Sequence, residues 1–303
     1  MALNLGARRG PDTATQSRPV SIEHYENFPV ASWLCPPALR PAIAAIYHFA
    51  RTADDIADEG TASPSERLAE LAAYGQALQR AASGGDTQGR WANVFAPLAR
   101  AIAQHRLPLR PMTDLLSAFA QDTGNPLYPD RPALLDYCAR SANPVGRLLL
   151  HLAEVQDREA LAQSDAVCSA LQLINFWQDL SIDLPRGRVY VTTVDAASCG
   201  LTTSHLRAGI DSDASRALLR SLVAWARNVM LSGAPLVHRL PGRMGWELRF
   251  VVQGGLRVLE KIEAANFNAL SHRPTVGKAD LGRLAWRALR MKHARNTKAV
   301  FNP

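Results

Sequence analysis

Apolar residues recur at three- and four-residue spacing along most of the chain, the signature of helices that each bury one face. The pattern predicts helices over 42–58, 64–82, 91–105, 111–122, 131–154, 158–183, 203–209, 213–232, 244–270 and 278–295. Between them stand turn-forming clusters such as Ser83–Asp86, Asp122–Pro126 and Pro185–Arg188. Strand formers are sparse and Ala, Leu and Arg abundant, so intrinsic propensity agrees with the periodicity. The expected fold is all-α, a single bundle of about ten helices over 21–298 around a central cavity. Residues 1–20 and 299–303 lack periodicity and are expected to be tails.

Two of these helices carry polar residues where the pattern calls for core. In the helix 42–58, Tyr47, Arg51, Asp54 and Asp58 are spaced 4, 3 and 4, which stacks them along one face. In the helix 158–183, Gln172, Asn175, Asp179 and Asp183 are spaced 3, 4 and 4, a second polar stripe among Leu, Ile, Phe and Trp. Carboxylates four residues apart lie about 6 Å apart along the axis and repel each other unless a cation sits between them. At a helix C-terminus they also oppose the macrodipole. A lone pair of this kind reads as a solvated helix end, whereas two such stripes in apolar helices read as facing walls of a polar cavity. Mg²⁺, a hard cation that takes oxygen ligands and bridges carboxylates to phosphate, fits this arrangement. A redox di-metal centre is the other metal reading, but it calls for Glu-x-x-His motifs that neither helix has.

Charge narrows the partner. Thirty-four Lys and Arg against 27 Asp and Glu give a formal charge of +7, which favours an anionic partner: nucleic acid, an acidic membrane or a phosphorylated small molecule. Cys35, Cys138, Cys168 and Cys199 form no C-x-x-C or zinc spacing and read as reduced thiols. The first 20 residues lack the apolar core of a secretory signal, and no stretch has the roughly 20 apolar residues of a spanning helix. A cytoplasmic protein is expected, with the basic amphipathic helix 278–295 a candidate for resting on the membrane's inner face.

The stripes and their surroundings resemble the head-to-head prenyl synthases, the squalene and phytoene synthases. The residues carrying the resemblance are Asp54-Asp55-x-x-Asp58, Asn175-x-x-x-Asp179-x-x-x-Asp183 and Arg186-Gly187-Arg188-Val189-Tyr190. His24–Phe28, Tyr47-x-x-x-Arg51, the run Tyr137–Gly146 and the late helix around Val258–Ala264 agree. The wording of several segments is closest to bacterial hydroxysqualene synthases of hopanoid pathways. The resemblance implies an isoprenoid-synthase fold and conversion of presqualene diphosphate to hydroxysqualene, with Mg²⁺ and without NADPH. It also implies coupling to a sister synthase upstream and an oxidoreductase downstream.

Carried onto this sequence, the resemblance implies Mg²⁺ binding by Asp54, Asp58, Asn175, Asp179 and Asp183. It implies catalytic roles for Tyr47, Arg51, Tyr137, Gln172 and Asn175, and diphosphate or substrate contacts by His24, Arg51, Arg188 and Lys278. Phe28, Phe176 and Trp177 are candidates for stabilising a carbocation over their ring faces. Two departures stand out: Gln178 replaces an arginine usual before the second motif's first Asp, and Gly255 stands where phytoene synthases often carry tyrosine. The alternatives are phytoene-type, dehydrosqualene or presqualene diphosphate synthesis from farnesyl or geranylgeranyl diphosphate, chain elongation or cyclisation, and a basic helical nucleic-acid-binding protein. Acidic stripes inside apolar helices serve no purpose in the last of these, so nucleic acid is not the expected partner.

Overall fold

The computed structural model describes residues 36–291, which form thirteen α-helices and three 3₁₀ turns with no strand among them. The tails 1–20 and 299–303, together with His24, Phe28 and Cys35, lie outside the described residues. In order, the helices are α1 (Arg40–Asp58), α2 (Pro64–Ala82), α3 (Ala92–His105), α4 (Arg110–Asp122), α5 (Arg131–Ser141), α6 (Asn143–Leu152) and α7 (Arg158–Gln178). There follow α8 (Leu180–Asp183), α9 (Thr193–Ser198), α10 (Thr203–Arg207), α11 (Asp213–Gly233), α12 (Gly242–Ala264) and α13 (Leu281–Arg290).

The helix count exceeds ten because two predicted helices are each divided and α9 was not foreseen. The segment 131–154 breaks at Ala142 (φ −123°, ψ −48°), where Pro144 has no N–H to offer the carbonyl of Arg140. The segment 158–183 breaks at Asp179 (φ −101°, ψ 11°). The late helices are shorter than periodicity suggested, ending at Ala264 and Arg290 rather than 270 and 295. Side-chain caps fix several starts: Ser63 and Glu66 form a capping box on α2, and Asp157 accepts from the Ala160 amide on α7.

Two large hydrophobic clusters, with a small third of Leu150, Ala160 and Leu236, make the core. One gathers α1 to α4 with Leu148 and Leu152 of α6, centred on Phe49, Tyr74, Phe95 and Leu98. The other gathers α5, α7, α11 and α12 around Leu173, Trp177, Leu222 and Leu259. Glycines allow close approach at the second: a Cβ on Gly233 would lie 2.5 Å from the Gln163 carbonyl of α7, and one on Gly255 would touch Met230, Ile174 and Leu171 at 3.0–3.2 Å. Gly255 therefore serves the close packing of α12 on α7 and α11. Each large cluster carries one of the acidic stripes, α1 in the first and α7 in the second.

Candidate active site

Tyr47, Arg51, Asp54 and Asp58 share a face of α1, which ends at Glu59 and turns through Gly60 at φ 79°. Arg51 holds the acidic end together, pairing with Asp54 at 3.2 Å, Asp55 at 2.6 Å and Glu59 at 3.0 Å. Asp54 is half-buried. Burial, with the neighbouring charge of Asp58, pushes its carboxyl up to about 6.

The second stripe survives the break in its helix. The Asp179 amide donates to the Asn175 carbonyl at 2.9 Å and the Asp183 amide to the Asp179 carbonyl at 2.8 Å, so an i to i−4 bond stands on either side of the joint. Asn175, Asp179 and Asp183 thus keep one face, with half-buried Gln172 one turn earlier. Asp183 is pushed up to about 6 by burial first and by Asp179 second. Asp179 itself is buried and paired with Arg273.

No sequence signal marks Arg273, which is 94 positions away, in the loop between α12 and α13. The neighbouring Gln178, which lacks the charge expected before Asp179, accounts for its placement. The buried Gln178 amide donates to the Pro274 carbonyl at 2.6 Å, fixing the loop at the residue next to Arg273. A cation reaches the motif from a distance where the local one is missing.

The two stripes converge. Arg188, just beyond α8, pairs with Asp58 of α1 at 2.8 Å, and the Asp58 charge also raises the proton affinity of Asp183. A third carboxylate joins them: Asp122, at the end of α4, lines a small cavity with Asn125, Pro126, Arg188, Val189 and Tyr190. Its Oδ2 accepts a hydrogen bond from the Tyr137 hydroxyl at 2.9 Å. Burial, and then the charges of Asp58 and Asp54, push it up to about 7 although the Tyr137 bond lowers it. In the sequence Asp122 opened a turn cluster, and nothing there marked it as chemical.

Beside these charges stands an aromatic cluster. Phe176 and Tyr190 stack with centroids 3.7 Å apart, and Tyr137 lies 6.2 and 6.1 Å from them. Tyr128 packs 5.4 Å from Tyr137, its hydroxyl accepting from Gln121 at 3.3 Å. Phe176 thus packs on Tyr190, which lines the Asp122 cavity, whereas Trp177 lies in the core beside Trp225. Tyr47 sits one turn before Arg51, edge-on to His48. Lys278 is exposed on the 3₁₀ turn 278–280, and the basic group that meets the second motif from this end of the chain is Arg273.

Half-buried carboxylates whose neighbours raise their proton affinity are suited to a divalent cation, and their oxygen donors match Mg²⁺. Among the described residues no three His, Cys, Asp or Glu groups stand close enough to hold an ion by themselves. A Mg²⁺ ion fits the site as one that completes its shell with water and substrate phosphate, the usual habit of this cation.

Comparison with known proteins gives this arrangement a lineage. The squalene/phytoene synthase family profile matches residues 22–280. A hydroxysqualene synthase of Sinorhizobium fredii is 34% identical over 80% of both chains. One of Rhodopseudomonas palustris is 32% identical over 83% of this chain and 84% of its own. A crystal structure of a squalene synthase from Alicyclobacillus acidocaldarius superposes with a TM-score of 0.74 at 36% identity, covering 81% of this chain and 90% of that one. The chain belongs to the squalene/phytoene synthase family and is a prenyl-transferring synthase of the head-to-head type.

Proposed function

We propose that the chain converts presqualene diphosphate to hydroxysqualene in a Mg²⁺-dependent reaction that releases diphosphate. The observation that carries the ionisation step is the convergence of two carboxylate pairs, bridged by Arg188 on Asp58, beside an aromatic cluster. The choice of substrate is supported by the relatives named hydroxysqualene synthase.

Asp54, Asp58, Asn175, Asp179 and Asp183 would hold Mg²⁺. When bound, the ion supplies positive charge against the charge developing on the departing diphosphate. Arg51, Arg188 and Arg273 each now neutralise a motif carboxylate, and each can turn its guanidinium to diphosphate oxygens once those carboxylates face a cation. Tyr47 precedes Arg51 on the same face, and Gln172 precedes Asn175 on the second stripe. The outward faces of the stacked Phe176–Tyr190 pair can stabilise a carbocation beside them. Water then adds to the cation, and no reductant enters the reaction.

The test is to incubate the purified protein with presqualene diphosphate and Mg²⁺, with and without NADPH. Hydroxysqualene in both arms is expected. Squalene only with NADPH is the second reading, favoured by the name of the Alicyclobacillus relative, and absence of turnover with presqualene diphosphate would overturn both.

The product is an oily alcohol, and the surface offers a place for it to leave. Leu281, Trp286 and Leu289 of α13 are exposed at 57, 52 and 68%, whereas Leu284 and Ala288 are buried and Arg287 pairs inward with Glu260 of α12. Arg290 covers the Trp286 ring at 4.1 Å, and Arg283 lies on the same outer side. Among the described residues no helix is long and apolar enough to cross a membrane. A peripheral contact of α13 with an anionic inner membrane surface, from the cytoplasm, completes the reading.

A further inference from the structure

We propose that Asp122 is the terminal proton acceptor of the water-quench step, acting as a positioning residue through the Tyr137 hydroxyl. The inference rests on the reaction proposed above.

Adding water to a carbocation leaves one proton to dispose of, so a site that makes an alcohol needs a base close to the cation. Tyr137 is buried among the rings of Phe176, Tyr190 and Tyr128, and its hydroxyl donates to Asp122 Oδ2. With its proton committed there, the phenol oxygen keeps a lone pair that can accept a hydrogen bond from water. The adjoining Gln121 is held by Arg140 at 2.6 Å and reaches Tyr128, so the end of α4 fixes both tyrosines. Asp122 also lines the cavity with Arg188 and Tyr190, next to the proposed diphosphate site.

The step balances as follows. The diphosphate has left with the electron pair of its C–O bond. A new C–O bond forms between the water oxygen and the cationic carbon, one water O–H bond breaks, and that proton goes to the Tyr137 oxygen. Tyr137 passes its own proton to Asp122 Oδ2, which ends as a carboxylic acid. A proton affinity raised toward neutrality suits this role, because an acceptor works best with a pKa near the operating pH. The other base in the site is the diphosphate itself, and the experiment separates the two.

The measurement is the ratio of hydroxysqualene to diphosphate released from presqualene diphosphate, in the full chain with Mg²⁺, for wild type, Asp122→Asn and Asp122→Glu. The ratio should fall about tenfold or more in Asp122→Asn, in the range expected for loss of an acid–base group. Asp122→Glu should recover part of it, although it alters the side-chain shape more than Asn does. A role in packing alone predicts the opposite order, and that order would overturn the proposal. An unchanged ratio in Asp122→Asn would assign the proton to diphosphate and also overturn it. If Asp122→Asn does not fold, Tyr137→Phe decides by the same ratio. A wild-type protein that makes no alcohol removes the reaction and this step together, whereas an unchanged variant ratio removes this step alone.

Discussion

Arg273 closes on Asp179 across 94 positions of sequence, supplying at the second acidic motif a cation that the residue beside Asp179 does not carry. Asp179 is 12% exposed in this pair, so removing the arginine leaves a nearly buried carboxylate without its charge partner. Arg273→Gln is expected to cost about 1–3 kcal/mol in metal-free protein. Mg²⁺ should return part of that loss by taking the arginine's place. Chemical denaturation in EDTA and in Mg²⁺ measures both, and equal losses in the two conditions would count against Asp179 as a metal ligand.

The carboxylates give the fold an unusual pH dependence. Asp54 and Asp183 titrate near 6 and Asp122 near 7, against an ordinary 3.8, so the folded state holds protons that the unfolded chain has released. Their contribution is fully present below about pH 4 and is lost as pH rises through 6 to 7. Carboxyls with lowered values, among them Glu260 and Asp280, titrate below this window. Stability in EDTA should therefore fall between pH 5 and 7, and Mg²⁺ should flatten the slope. A denaturation midpoint that rises over this range without metal would contradict the electrostatics described here.

Asp54→Ala and Asp179→Ala should each reduce turnover by about 10³-fold or more, as expected when charge stabilisation of a leaving group is removed. Neither change should unfold the protein. Asp54→Ala relieves repulsion with Asp58 and is expected to raise the metal-free melting temperature. Full activity in either variant would end the assignment of these stripes to metal and diphosphate.

Gly233→Ala tests the packing of α11 on α7. Alanine is the better helix former by about 1 kcal/mol, yet its Cβ would fall 2.5 Å from a backbone carbonyl and 2.8 Å from the Val167 amide nitrogen. Backbone cannot step aside as a side chain can, so a net loss of about 1–3 kcal/mol is expected. Gly255→Ala meets only side-chain tips at 3.0–3.2 Å and should cost less. Thermal melts of the two variants order them directly.

Flotation with vesicles checks the outer face of α13. Trp286→Ser with Leu289→Ser should reduce recovery with anionic vesicles several-fold, since each large apolar side chain contributes about 1.5–3 kcal/mol on burial. Activity on detergent-dispersed substrate should be little changed. Equal recovery of wild type and variant would locate any membrane contact elsewhere.

Much of this was legible in sequence because helix periodicity is local. The stripes on α1 and α7 follow from residue spacing alone, and Arg188 lies close enough in sequence to the second motif to be read with it. Arg273, Asp122 and the cluster of Tyr128 and Tyr190 were not legible, since each acquires its neighbours from elements distant along the chain. Lys278 is exposed on its 3₁₀ turn, and Arg273, five positions earlier, is the basic residue paired with Asp179. The break at Asp179 was hidden because apolar periodicity continues across it, whereas the break at Ala142 was marked by Pro144. His24 lies outside the described residues.

The division of the core into two large clusters has a bearing on how the protein is held together. Asp54 and Asp58 ride on one cluster and Asp179 and Asp183 on the other, with the Asp58–Arg188 pair spanning them. Neither half carries both acidic pairs, so an ion or substrate held by them as proposed would act as a rivet through both. Occupancy and cohesion then become a single variable: a substitution that loosens the seam far from any carboxylate weakens substrate affinity, and a bound substrate protects distant amides on either side from exchange.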